Sequence, residues 1–249
     1  MLFHMNIKLV IAYDGTDFFG WQESSDGPSI EGTLREVLEK IYQEPMTLQA
    51  ASRTDAGVHA EGQVVNYRTE KKKELSRLKI SLNQLLPKTI RVTSLEEVDD
   101  TFHPTLDNVG KEYHYHLSLG GVASPFHRHI AWHIHTPLDI ARMKEAAPLF
   151  IGTHDFATFA NACDPKPKKT IRTLTSLEIK EECPLLQIAV RGTNFLYKMV
   201  RNIVGTLVYI GQGKLSLEEA RLLIEKKDRT LAGPAAPAHG LTLKKVFYP

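Results

Sequence analysis

A chain of 249 residues, 42% hydrophobic and 24% charged, is ordinary for a globular protein and long enough for one large core or two smaller ones. Its most apolar helical window, 199–210, is interrupted by Arg201 and Asn202, and its start carries Asn6 and Lys8, so neither a membrane span nor a secretory leader is expected. The net charge of +2 is unevenly spread: 14–44 carries eight acids against Arg35 and Lys40, 66–91 carries eight bases against Glu70 and Glu74, and Lys166, Lys168, Lys169 and Arg172 form an acid-free run. Such basic runs suit a polyanion, whose counterions they displace, although solvated faces of ordinary elements explain them equally well.

Apolar alternation predicts a first strand over 6–13. Ser29 is placed to cap a helix carrying Ile30, Leu34, Val37, Leu38 and Ile41 on one face. Strands are expected at 47–51 and 63–68, then a helix with Leu75, Leu78, Leu82, Leu85 and Leu86 that stops at Pro87, then a strand from Ile90. That βαββαβ order is the ferredoxin-like pattern. The second half predicts strands at 113–119 and 130–135, a helix started by Pro137, strands at 174–179 and 186–191, a long helix from Phe195, another from Leu217 and a last strand over 241–247. The expected fold is therefore α+β: two ferredoxin-like halves, 1–101 and 102–249, with mixed or antiparallel sheets side by side and a central catalytic cleft.

The stretch SRTDAGVHAEGQVV, 52–65, is the richest in chemistry. Asp55 lies between Arg53 and the turn formers Ala56 and Gly57, and a carboxylate beside a guanidinium stays ionised and able to act as nucleophile or base. A polar turn in which Asp55 bonds its own backbone accounts for the same residues. On the helix expected from Phe195, Leu196, Met199, Val200, Ile203 and Leu207 share a face. Asn194, Lys198, Arg201 and Gly205 lie opposite, either as a solvated face or as a cleft that Gly205 keeps open beside Arg201. Tyr113 alternates with Tyr115 and Leu117, which by itself reads as strand burial.

Together these strings resemble the TruA family of pseudouridine synthases. The resemblance runs nearly end to end: YDGTDFFGWQ at 13–22, RTDAGVHA and GQV within 53–64, FHP at 102–104, KEYHY at 111–115, HDFATF at 154–159, FLYKMVRNIVGTL at 195–207 and HGLTLKKVFYP at 239–249. Ser52 replaces the family's usual glycine, and Thr105 its usual arginine. The resemblance implies a cytoplasmic, homodimeric isomerase that converts uridine to pseudouridine at positions 38, 39 and 40 of tRNA, with no cofactor or metal. It makes Asp55 the catalytic nucleophile and gives Arg53 the support of a flipped-out nucleotide. Tyr113 would stack on the uracil, Arg201 would pair with Asp55, and Leu241 would pack against the base. The basic stretches around Lys71, Lys72, Lys73, Lys168 and Lys169 are candidates for holding the RNA.

Two other functions fit parts of the chain. His114 and His116 share one strand face and His133 and His135 another, which could gather four imidazoles for a metal-dependent nuclease, although no Cys or Glu completes the spacing. A non-catalytic RNA-binding protein would use similar sheets, but no string of glycine and aromatics typical of an RRM is present. Cys163 and Cys183 have neither metal nor redox spacing and are expected as reduced thiols.

Overall fold

Ile7, Leu9, Ile11 and Tyr13 alternate along β1 (Met5–Tyr13) and are all buried, so one face of this strand forms a core floor. The computed structural model describes residues 5–162 and 169–249, which divide into two compact units. Unit 1 runs to Val109 and includes Thr242–Pro249; unit 2 is Gly110–Leu241. The expected division at 101/102 assigned the last strand to the second half, whereas the structure groups it with the first.

Unit 1 has the expected element order. After β1 comes α1 (Ile30–Tyr42), whose cap Ser29 accepts the Gly32 N–H and which buries Ile30, Leu34, Leu38 and Tyr42. Each such aliphatic contributes about 1.5–3 kcal/mol by leaving water. β2 (Gln49–Ala50) and β3 (His59–Thr69) follow, then α2 (Leu75–Leu85) and β4 (Ile90–Val98). The sheet order is β4-β1-β3, with β2 antiparallel on β3 and β10 (Leu241–Phe247) parallel to it. β3 starts four residues earlier than its pattern suggested, because Ala60 pairs with Tyr13 on one side and His59 and Ala60 pair with Thr242 and Leu243 on the other. A strand flanked on both sides is buried almost throughout and loses the alternation that marks strands in sequence.

Unit 2 contains β5 (Gly110–Leu119), β6 (Trp132–Ile134), α3 (Ile140–Ala146), β7 (Gly152–Asp155), β8 (Ile171–Glu182), β9 (Leu185–Gly192), α4 (Met199–Gly211) and α5 (Leu217–Lys226). Its sheet order is β5-β9-β8-β7, all antiparallel, with β6 parallel on β5. Both units are thus mixed α+β.

Two helix starts differ from expectation. α3 begins at Ile140 rather than at Pro137, because the Asp139 carboxylate caps it through the Arg142 N–H. α4 begins at Met199 rather than at Phe195: Lys198 takes the left-handed conformation (φ 59°), so the chain turns at 197–198 before the helix starts. β7 was not expected; its last two residues, His154 and Asp155, open the HDFATF string. That string proves to be a packing motif. Phe156 and Phe159 are fully buried with Phe150, and Asp155 accepts from Thr170, the Ala157 N–H and Lys227.

Candidate active site

The Asp55 loop is held by backbone contacts with the YDGTDFFGWQ segment, entirely within unit 1. The Trp21 N–H donates to the Thr54 carbonyl at 3.0 Å, the Gly57 N–H to Phe18 at 3.3 Å, and the Tyr13 hydroxyl meets Thr54 Oγ1 at 2.8 Å. A Cβ on Gly15 would lie 2.1 Å from the Val58 carbonyl oxygen, so only glycine lets the two segments approach this closely. At the far end of the loop the Gly15 N–H donates to His59 Nδ1 at 3.0 Å, and Asp14 Oδ1 lies 3.2 Å from the same nitrogen. One ring nitrogen cannot both accept from an amide and donate to a carboxylate. The amide is the donor here, which makes Nδ1 the acceptor, while Asp14 Oδ1 takes the Thr16 hydroxyl and amide.

Gln63 closes the loop at its base. Its fully buried side chain accepts the Ser52 N–H at 3.2 Å and donates to the Ser52 carbonyl at 2.6 Å, as a strand neighbour would. Both of these bonds run to the backbone of residue 52, which serine supplies as glycine would. Within this frame Asp55 is half-buried and its carbonyl accepts the Val58 N–H at 3.1 Å, while Arg53 is exposed. Burial pushes the Glu31 carboxyl up, and Arg53 is among the charges that hold it down.

Unit 2 carries the other candidates. Tyr113 is buried in β5, edge-on to Phe195 at 5.1 Å, a contact created by the turn that delays α4. Arg201 Nε donates to the Ala236 carbonyl at 2.7 Å while the Ala236 N–H donates to the Arg201 carbonyl at 3.0 Å. The next residue, Asn202, is fully buried and bonds Phe159, Asn161 and Arg229, which locks the helix that carries Arg201. Gly205 does not open space for Arg201. A Cβ there would lie 1.7 Å from the Pro234 carbonyl oxygen, so its bareness admits the 233–236 chain against the helix. α4 is buried nearly all round, against the expected solvated or cleft face. Tyr115, read from the sequence only as a strand position beside Tyr113, bonds the Pro237 carbonyl at 2.8 Å and lies against Gly240, beside the buried Leu241. Burial pushes its hydroxyl up, with Arg201 acting in the opposite sense.

The lysines at 71–73 are exposed and rim a cavity of about 290 Å³ floored by Met5, Ile7, Tyr42 and Leu75. Lys71 is already engaged with Glu44 and the Tyr42 and Gln43 carbonyls, and Lys73 lies over the Tyr42 ring. Lys169 is exposed; Lys168, like Lys166 and Cys163, lies outside the described residues. Thr105 ties its loop to β2 through the Ala50 carbonyl at 2.6 Å. Among the described residues no group of three or more His, Cys, Asp or Glu is placed to hold a metal ion. His114 instead meets Glu112 at 2.7 Å, and the His133 and His135 rings pack edge to face.

A family model described as tRNA pseudouridine synthase matches residues 9–107 and 146–249. The chain belongs to that family. It is 47% identical to tRNA pseudouridine synthase A 2 of Protochlamydia amoebophila, over 98% of this chain and 94% of that protein. It is 42% identical to tRNA pseudouridine synthase A of Clostridium kluyveri, over 98% and 99% respectively. This synthase is accordingly an isomerase of tRNA uridine, and no helix among its described residues is long and apolar enough to cross a membrane.

Proposed function

We propose that this synthase makes pseudouridine at positions 38, 39 and 40 of the tRNA anticodon arm, with Asp55 as its nucleophile. The observation that carries this reading is the construction of the 52–63 loop. Buried side chains and close backbone contacts hold every segment around Asp55, yet its own side chain stays half-exposed. A structural turn would not need so much support.

The target uridine must leave the stack before a carboxylate can reach it. Arg53, exposed beside Asp55, supports that extruded state. As the family resemblance implies, Tyr113 and Leu241 hold the uracil ring and Arg201 is the partner of the Asp55 carboxylate. The bond from N1 to ribose C1′ breaks, the ring turns while held, C5 bonds to C1′, and the proton lost from C5 is balanced by one gained at N1. Substrate and product have the same formula, so no oxidant, reductant or group donor enters. Lys71, Lys72, Lys73, Lys168 and Lys169 serve the RNA backbone. As the family resemblance implies, we place the enzyme in the cytoplasm as a homodimer; sedimentation of the purified protein tests the second point. We also read the β4-β1-β3-β2 order of unit 1 as ferredoxin-like.

Asp55→Asn keeps the shape and removes the charge. Single-turnover pseudouridine formation should fall by about 1000-fold or more while tRNA affinity stays within about twofold. An active Asn variant would refute the assignment.

A further inference from the structure

Unit 2 carries an arm with no part in the chemistry above. Between β5 and β6, residues 120–130 are exposed at nearly every position. Val122 is 91% and Phe126 87% exposed, the highest values among the large apolar side chains described. The arm is nonetheless ordered by its own bonds. Ser124 Oγ accepts the Phe126 N–H at 3.3 Å, the Ser124 carbonyl accepts the His127 N–H at 3.1 Å, and the His127 carbonyl accepts from Ile130 and the buried Ala131. Arg128 folds back onto the same turn through the Pro125 carbonyl at 2.7 Å. Phe126 and Arg128, two residues apart on this turn, are therefore both exposed.

The charge around them selects the partner. From 113 to 138 there is no Asp or Glu, while Arg128 and six of the chain's 11 histidines fall there. A polyanion meets no repulsion on this segment, and its bases offer flat faces to a ring that water solvates poorly. Base stacking on an exposed aromatic beside a basic group is how unpaired nucleotides are held without sequence preference.

We propose that Phe126 stacks on an unpaired base of the bound tRNA and that Arg128 contacts an adjoining phosphate. The inference rests on the tRNA reading above and extends it to a contact outside the catalytic residues. The binding of folded tRNA to wild type, Phe126→Tyr, Phe126→Leu and Arg128→Gln, measured across a salt series, tests it. Tyrosine should bind as phenylalanine does, because both present a ring. Leucine, apolar but without a stacking face, should raise Kd by about tenfold. Arg128→Gln should lower the slope of log affinity against log salt by about one.

Equal affinity of the leucine variant would overturn stacking, since any apolar partner would then suffice. So would weaker binding accompanied by a changed oligomeric mass in sedimentation, which would assign the arm to a protein contact. Pseudouridine formation by the wild type is the control. If the wild type forms none, the functional reading itself fails; if it is active and the variants bind normally, only the arm proposal fails.

Discussion

Unit 1 and unit 2 carry their candidate residues in opposite ways. In unit 1 Asp55 and Arg53 sit on a loop, positioned by backbone bonds from Phe18, Trp21 and Gly15 and by the Gln63 amide. In unit 2 Tyr113 and Arg201 sit on a strand and at the start of a helix, positioned by packing and by a polar cluster around Asn202. The difference teaches where a substitution should be felt. A loop held by individual hydrogen bonds can shift when one of them is removed without unfolding its unit, whereas a packed helix cannot shift without disturbing the core around it.

Three substitutions would break or sharpen that contrast. The largest effect is expected at Gly205→Ala in unit 2. The new methyl meets the Pro234 carbonyl backbone, which cannot swing aside as a side chain does, so stability should fall by about 3 kcal/mol. Denaturant unfolding measures the loss, and an unchanged midpoint would show that the 233–236 chain yields freely.

Gln63→Leu in unit 1 should act mainly on rate. It strips the Ser52 amide and carbonyl of their partners, costing about 2 kcal/mol of stability. The loop it releases carries Asp55, and a displacement of about 1 Å there would slow single-turnover chemistry by about 100-fold at saturating tRNA. Loss of stability without loss of rate would mean that Gln63 supports the strand and not the site.

The smallest effect concerns Lys111, buried at the start of β5, where burial pushes its ammonium down to about 8. The unfolded chain keeps that proton until about pH 10.4. Between these values the unfolded state binds more protons than the folded one, so this residue makes stability rise with pH, by about 1 kcal/mol between pH 8 and 9. Lys111→Met should remove the rise, as unfolding midpoints of the two proteins at pH 7, 8 and 9 would reveal. The same upward slope in the variant would assign it to another group.

Much of this protein was legible because local rules suffice for it. Ser29 capping α1, the apolar stripe of that helix, the stop before Pro87 and the strand over 241–247 all depend on neighbours within a turn or two of chain. The family signatures likewise marked Asp55, Arg53, Tyr113, Arg201 and Leu241 as candidates. What sequence could not reach depends on distant partners. β3 begins at His59 because β10, about 180 residues away, lies beside it. Gly205 reads as an opening until Pro234 is placed against it. Tyr115 and Gln63 look like unremarkable strand residues until the Pro237 carbonyl and the Ser52 amide come within bonding distance. Propensity and periodicity are set by neighbours along the chain, so the sequence determined the elements and the candidate chemistry. Which backbone groups meet across the fold is set by packing, so only the tertiary structure decided what holds the Asp55 loop and how α4 is seated.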